Sequence, residues 1–139
     1  MNVTVDANVF VAAARSSEAN HAASEAFLER LHGRGDSVIC PLLVLPECAA
    51  AVARATLEES AAMRLVRSVE SYPGIALRPL DLVVARRAAE MGADAVYCAV
   101  AERSGATLVT WDAEMRERAA GALNAMTPAE WMAAWGAAP

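Results

Sequence analysis

The sequence has no lysine: its whole basic complement is twelve arginines, set against 17 acids for a net charge of −5. Cysteine is scarce and odd in number. Cys40, Cys48 and Cys98 show no CxxC spacing, which argues against a disulfide framework and against a thiolate zinc site. Buried, inert thiols in a reducing cytoplasm are the expectation. Long apolar runs are missing too. The longest, Val38 to Ala53, is interrupted by two prolines and Glu47 and is too short to cross a bilayer, so no membrane role is expected. After Met1 a strand pattern begins at once, without a basic n-region or apolar h-region, and no secretory leader is expected.

What is present reads as one globular domain over residues 1–139, with 56% hydrophobic and 21% charged residues. Strand-like runs fall at Val3–Val5, Ser37–Cys40, Ile75–Arg78, Thr107–Thr110 and Ala122–Ala125. Helical patterns separate them. Glu18–His32 carries Ala22, Ala26, Phe27 and Leu31 at a helical period, with Gly33 as its stop. Leu43–Ala55 tolerates Pro46 near its first turn, and Glu58–Tyr72 ends at Pro73-Gly74. Asp81 caps a helix that stops at Gly92, and another runs from Ala93 to Ser104. Thr127–Glu130 reads T-P-A-E, a capping box with proline at the first helical position. Alternating strands and helices predict an α/β fold, a three-layer sandwich around a mostly parallel sheet. Ligand sites in such sheets form at the carboxyl ends of strands, where the strand order reverses.

Two aspartates stand at such ends. Asp6 follows the strand at Val3–Val5, and Asp112 follows that at Thr107–Thr110. Each also fits a plain helix N-cap. Glu47 lies in the apolar run P-L-L-V-L-P-E-C-A-A-A, where an ionised carboxylate is costly unless paired or metal-bound. Asp94 leads the apolar helix of G-A-D-A-V-Y-C-A-V, a favourable place beside the macrodipole in any case. Converging on one crevice, four such acids would repel and retain protons unless a divalent cation neutralised them. An all-oxygen ligand set suits Mg²⁺ or Mn²⁺ rather than zinc. Such a cation can bind a phosphodiester oxygen and activate water for in-line attack.

The segments V-T-V-D-A-N-V-F, P-L-L-V-L-P-E-C-A-A-A-V-A-R, G-A-D-A-V-Y-C-A-V-A-E-R-S-G-A-T-L-V-T-W-D and T-P-A-E-W-M together resemble the PIN-domain ribonucleases, in particular VapC-like toxins of bacterial toxin–antitoxin pairs. The resemblance runs nearly end to end. It implies a Rossmann-like parallel sheet, a Mg²⁺ or Mn²⁺ site and cleavage of RNA. Residue by residue it implies an acidic site of Asp6, Glu47, Asp94 and Asp112, with Asp6 and Asp94 the leading metal ligands. Asn8 and Thr110 then support the first and last acids through hydrogen bonds. A cognate antitoxin and a homodimer are further family expectations. One departure stands out: R-R-A-A-E-M-G-A-D-A is shorter than the family's usual stretch by about two helical turns, and Met91 stands where an arginine often precedes the glycine.

The acidic balance is less adverse to RNA than it looks, since four of the 17 acids belong to the expected site. Arg86, Arg87, Arg103, Arg116 and Arg118 flank Asp94 and Asp112 and are candidate phosphate contacts; a solvated helix face is the plainer reading of each. No aromatic-interleaved basic patch points to sequence-specific RNA reading. Receiver domains and haloacid-dehalogenase-type phosphatases also place aspartates at strand ends, but both neutralise phosphate with a lysine, which this chain lacks. P-loop, dinucleotide-fingerprint and nucleophile-elbow motifs are absent. His21 and His32 have no carboxylate or cysteine at ligand spacing and read as surface or half-buried residues. The remaining alternative is a catalytically degenerate binding module of the same fold, acting through protein–protein interaction.

Overall fold

A computed structural model describes residues 1–92 and 95–137 of the chain. The strands β1 (Asn2–Val5), β2 (Ser37–Pro41), β3 (Ile75–Arg78), β4 (Thr107–Val109) and β5 (Ala125–Met126) form one parallel sheet in the order β3-β2-β1-β4-β5. The central strands are buried almost continuously rather than at alternate residues, as expected of a parallel sheet covered on both faces. One cover is built from α1 (Ala7–Ala14), α2 (His21–Arg34), α3 (Val44–Thr56) and α4 (Glu59–Glu70), with α8 (Pro128–Trp135) against α2. The other contains α5 (Leu82–Met91) and α6 (Val96–Arg103), α6 packing on β1, β2 and β4. The short α7 (Ala113–Ala119) follows β4. This is the three-layer α/β sandwich expected from the sequence.

From β1 the chain steps outward to β2 and β3, then returns to β4 on the far side of β1. The order therefore reverses between β1 and β4, and a crevice opens beyond their carboxyl ends. Asp6 sits there, its backbone N–H donating to the Val109 carbonyl at 3.0 Å.

Several boundaries differ from the periodicity reading. Gly33 lies inside α2, and the helix ends instead at Gly35, whose φ of 71° is the left-handed cap conformation. Its buried face is Ser24, Phe27 and Leu31, while Ala22 and Ala26 are exposed. The large side chains set the phase of that helix because alanine offers little apolar surface to bury. Phe27 meets Trp131 of α8 edge-on, with ring centroids 5.1 Å apart. The last strand falls at Ala125–Met126, not Ala122–Ala125; the N–H groups of Ala122 and Leu123 still close back on Ala119 at the end of α7. The helix α6 starts at Val96, and Ala93 is outside the described residues. By contrast Asp81 caps α5, Gly92 follows its end, and the Thr127–Glu130 capping box is formed from both sides. All three cysteines are free and buried. Among the described residues no helix is long and apolar enough to cross a membrane.

Candidate functional site

The two strand-end aspartates behave differently. Asp112 caps α7: its Oδ1 accepts from the Met115 N–H at 3.1 Å, and the residue is exposed. Asp6 stands at the N-cap of α1 yet makes no side-chain cap bond. Its Oδ2 instead accepts from the Thr110 hydroxyl at 2.7 Å, and only 6% of the residue is exposed. Helix capping therefore accounts for Asp112 in part, whereas the Asp6 side chain is directed chiefly to Thr110, with the Ala7 and Asn8 N–H groups as weaker partners.

Thr110, fully buried, is the hub of this arrangement. While donating to Asp6, its hydroxyl accepts from Asn8 Nδ2 at 3.2 Å and from the Asp112 N–H at 3.0 Å. Asn8 in turn accepts from the Trp111 N–H at 3.3 Å, and the Trp111 indole donates to the buried Ser24 hydroxyl at 2.9 Å. One hydroxyl thus ties the end of β1 to the segment after β4.

Glu47 approaches from the first turn of α3. The apolar run around it is less buried than its composition suggests. Val44, Cys48 and Val52 form the inward face of α3, whereas Leu42, Leu43 and Pro46 are exposed and Glu47 is half-buried. Its Oε2 accepts from the Tyr97 phenol at 2.5 Å. Asp6, Glu47 and Asp112 line a single cleft of about 290 Å³ together with Asn8, Tyr97 and Met115.

Burial pushes the Asp6 carboxyl up to about 6; the negative charge of Glu47 pushes the same way, against the opposing hydrogen bond from Thr110. None of the ion pairs among the described residues involves Asp6, Glu47 or Asp112. Burial also drives the Tyr97 phenol far above its ordinary range, so it remains a donor. The donors in the cleft are carboxylate oxygens that form no ion pair among the described residues, a chemistry that suits a hard divalent ion. Among the described residues, no three histidine, cysteine, aspartate or glutamate side chains are grouped so as to hold a metal. Asp94 lies outside the described residues, though Val96 and Tyr97, just after it, line the cleft.

The arginines divide. Arg87 is bound by Glu102 at 2.7 and 3.1 Å and by Glu90 at 3.0 Å, Arg103 pairs with Asp81 at 3.0 Å, and Arg118 pairs with Glu114. Arg116 reaches back from α7 to the Thr110 carbonyl at 3.0 Å, next to the acids. Arg86 is exposed. His21 is half-buried against the Ala12 carbonyl, and His32 is exposed. Tyr97 is the cleft residue that the sequence reading passed over. A tyrosine in an otherwise apolar helix needs a partner for its hydroxyl, and that was the available signal.

The family model described as PIN domain matches residues 3–121. Three similar solved structures are VapBC2 from Rickettsia felis bound to a DNA fragment from their promoter, VapC20 from Mycobacterium tuberculosis, a Sarcin-Ricin loop cleaving toxin, and FitAcB from Neisseria gonorrhoeae. The first is 16% identical, with a TM-score of 0.69, over 91% of this chain and 98% of that one. The second is 19% identical, with a TM-score of 0.69, over 87% and 96%. The third is 21% identical, with a TM-score of 0.67, over 92% and 98%. At these identities the likeness is one of fold. No curated protein matches the chain in sequence.

Proposed function

Because the chain belongs to the PIN-domain family, we propose that it is a divalent-metal-dependent endoribonuclease and the toxin of a toxin–antitoxin pair. The observation that carries this reading is Asp6, a buried carboxylate at the strand switch point that is held chiefly by the Thr110 hydroxyl and has no cationic partner among the described residues. A carboxylate so placed is costly as an anion without a cation beside it. Asp6 and Asp94 are the leading ligands for Mg²⁺ or Mn²⁺, completed by Glu47 and Asp112. The ion, when bound, supplies charge neutralisation at the phosphodiester and lowers the cost of making water nucleophilic.

The chain's own residues do the rest. Thr110 fixes the rotamer of Asp6, and Asn8 fixes Thr110. Glu47 or Asp112 orients the attacking water or takes its proton. Arg116 and Arg86 are the arginines best placed to meet phosphates, because Arg87 and Arg103 are each held by local carboxylates. RNA as the substrate class is supported by the cleavage described for VapC20. A cognate antitoxin is the expected protein partner, a homodimer the expected assembly and the cytoplasm the expected compartment. The apolar helices α3 and α4 are the proposed protein-binding faces.

Wild-type protein should cut RNA in Mn²⁺ and stop in EDTA, and Asp6→Asn should abolish cleavage while remaining folded. Unchanged cleavage by Asp6→Asn would defeat the assignment. The alternative is a catalytically degenerate binding module of the same fold. It predicts no Mn²⁺-dependent cleavage even by the wild type.

A further inference from the structure

Glu47 and Tyr97 come from opposite sides of the sheet: Glu47 from the first turn of α3, Tyr97 from the first turn of α6. Their side chains meet beyond its carboxyl edge. Tyr97 is only 2% exposed, and its phenol approaches Glu47 Oε2 to 2.5 Å, the short end of the range for a hydroxyl donating to a carboxylate. Among the described residues no other donor reaches the Glu47 carboxylate. Without the phenol, a half-buried glutamate repelled by Asp6 has every reason to turn toward solvent, where it regains rotamer freedom.

We infer that Tyr97 is a positioning residue: its phenol occupies Glu47 Oε2, leaves Oε1 to face a divalent cation in the cleft, and so governs how tightly the cleft takes that cation. The inference rests on the nuclease reading above. The same bond has a second consequence. It joins the first turn of α3 to the first turn of α6 across the carboxyl edge of the sheet. A phenylalanine at this position would fill the same space and do neither.

The test is Mn²⁺ binding by the full chain, measured by calorimetry without RNA, beside RNA cleavage titrated against Mn²⁺. Tyr97→Phe should raise the Mn²⁺ Kd by about tenfold or more, the usual effect of removing a hydrogen bond behind a metal ligand. The Mn²⁺ midpoint for cleavage should rise in parallel. In a Glu47→Ala background, which has no oxygen for the phenol, Tyr97→Phe should add no further loss. A phenol that merely stabilises the fold would lower the metal-free melting temperature and leave the Kd unchanged, and that result overturns the inference. So does a full tenfold loss that persists when Glu47 is already alanine. The Asp6→Asn variant separates the two levels of the argument. If it binds Mn²⁺ and cuts RNA like the wild type, the nuclease reading itself has failed; if it loses both while Tyr97→Phe changes nothing, only the role of Tyr97 is lost.

Discussion

Replacing Asp6 with asparagine should make the metal-free protein more stable at neutral pH while destroying the proposed activity. The magnitude follows from the carboxyl group, which is pushed from an ordinary 3.8 to about 6 by burial and by Glu47. A raised value means that the folded chain holds this proton more tightly than the unfolded chain. The associated stability is complete below about pH 4 and is lost as pH rises through about 6. At roughly 1.4 kcal/mol per pH unit, the loss above neutrality is about 3 kcal/mol. Asparagine keeps the shape and an oxygen for the Thr110 hydroxyl but has no charge to bury. Its amide hydrogens need new partners, so a net gain of roughly 1–3 kcal/mol is expected. For a chain of this size that is a rise in Tm of about 3–9 °C. Thermal unfolding followed by circular dichroism in EDTA measures it, with wild type and variant compared at about pH 4 and about pH 8. The two curves should nearly coincide at the lower pH and separate at the higher. A variant that melts below the wild type at the higher pH, or a gap of equal size at both, would refute the reasoning.

Other perturbations probe other links. Thr110→Val removes the hydroxyl that joins Asp6, Asn8 and the Asp112 backbone; urea unfolding should show a loss of about 1–3 kcal/mol, and Thr110→Ser should retain most of it. Ser24→Ala leaves the Trp111 indole N–H without its acceptor and should cost about 1–2 kcal/mol by the same measurement. Leu57 is 89% exposed with φ of 59°, a left-handed conformation that strains a leucine and packs nothing, so Leu57→Gly should stabilise the protein by up to about 1 kcal/mol. Phe27→Ala removes a fully buried ring from its edge contact with Trp131 and should cost about 3–5 kcal/mol, read as a lower urea midpoint with little change in m.

The parts of the fold legible in the sequence are those governed by local chemistry. Apolar runs marked β1 to β4 closely, Asp81 and Gly92 bracketed α5, and the T-P-A-E box opened α8. Less legible was whatever depends on a distant partner. The two-residue β5 exists because Leu108 and Val109 of β4 pair with Ala125 and Met126, and its own sequence is as helical as it is extended. The phase of α2 is set by Phe27 against Trp131, which an alanine count could not weigh. At the site, Asp6 and Asp112 look alike in sequence, each an acid between a strand and a helix. Only the packed structure shows that one caps its helix and the other is turned inward onto Thr110. Tyr97 was hidden in a helix whose hydrophobic pattern it satisfies, its hydroxyl invisible to any periodicity.

The cost of ionising Asp6 and the stabilisation from a bound cation act on the same group in opposite directions, which connects stability to function. A ligand present at about a hundred times its Kd stabilises the state that binds it by about 2.7 kcal/mol. Keeping Asp6 ionised costs the metal-free fold about 3 kcal/mol by the reckoning above. A cleft that holds Asp6 and Glu47 together is therefore poorly balanced when empty and better balanced when charged with a divalent ion. The hydrogen bonds from Thr110 and Tyr97 do not remove that imbalance; each fixes one carboxylate oxygen and leaves the repulsion in place. It follows that Mn²⁺ should raise the Tm of the wild type above pH 7 by several degrees and leave that of Asp6→Asn nearly unmoved, so that metal reverses the order of stability seen in EDTA or closes the gap. Equal stabilisation of both proteins by Mn²⁺ would place the ion somewhere other than this cleft.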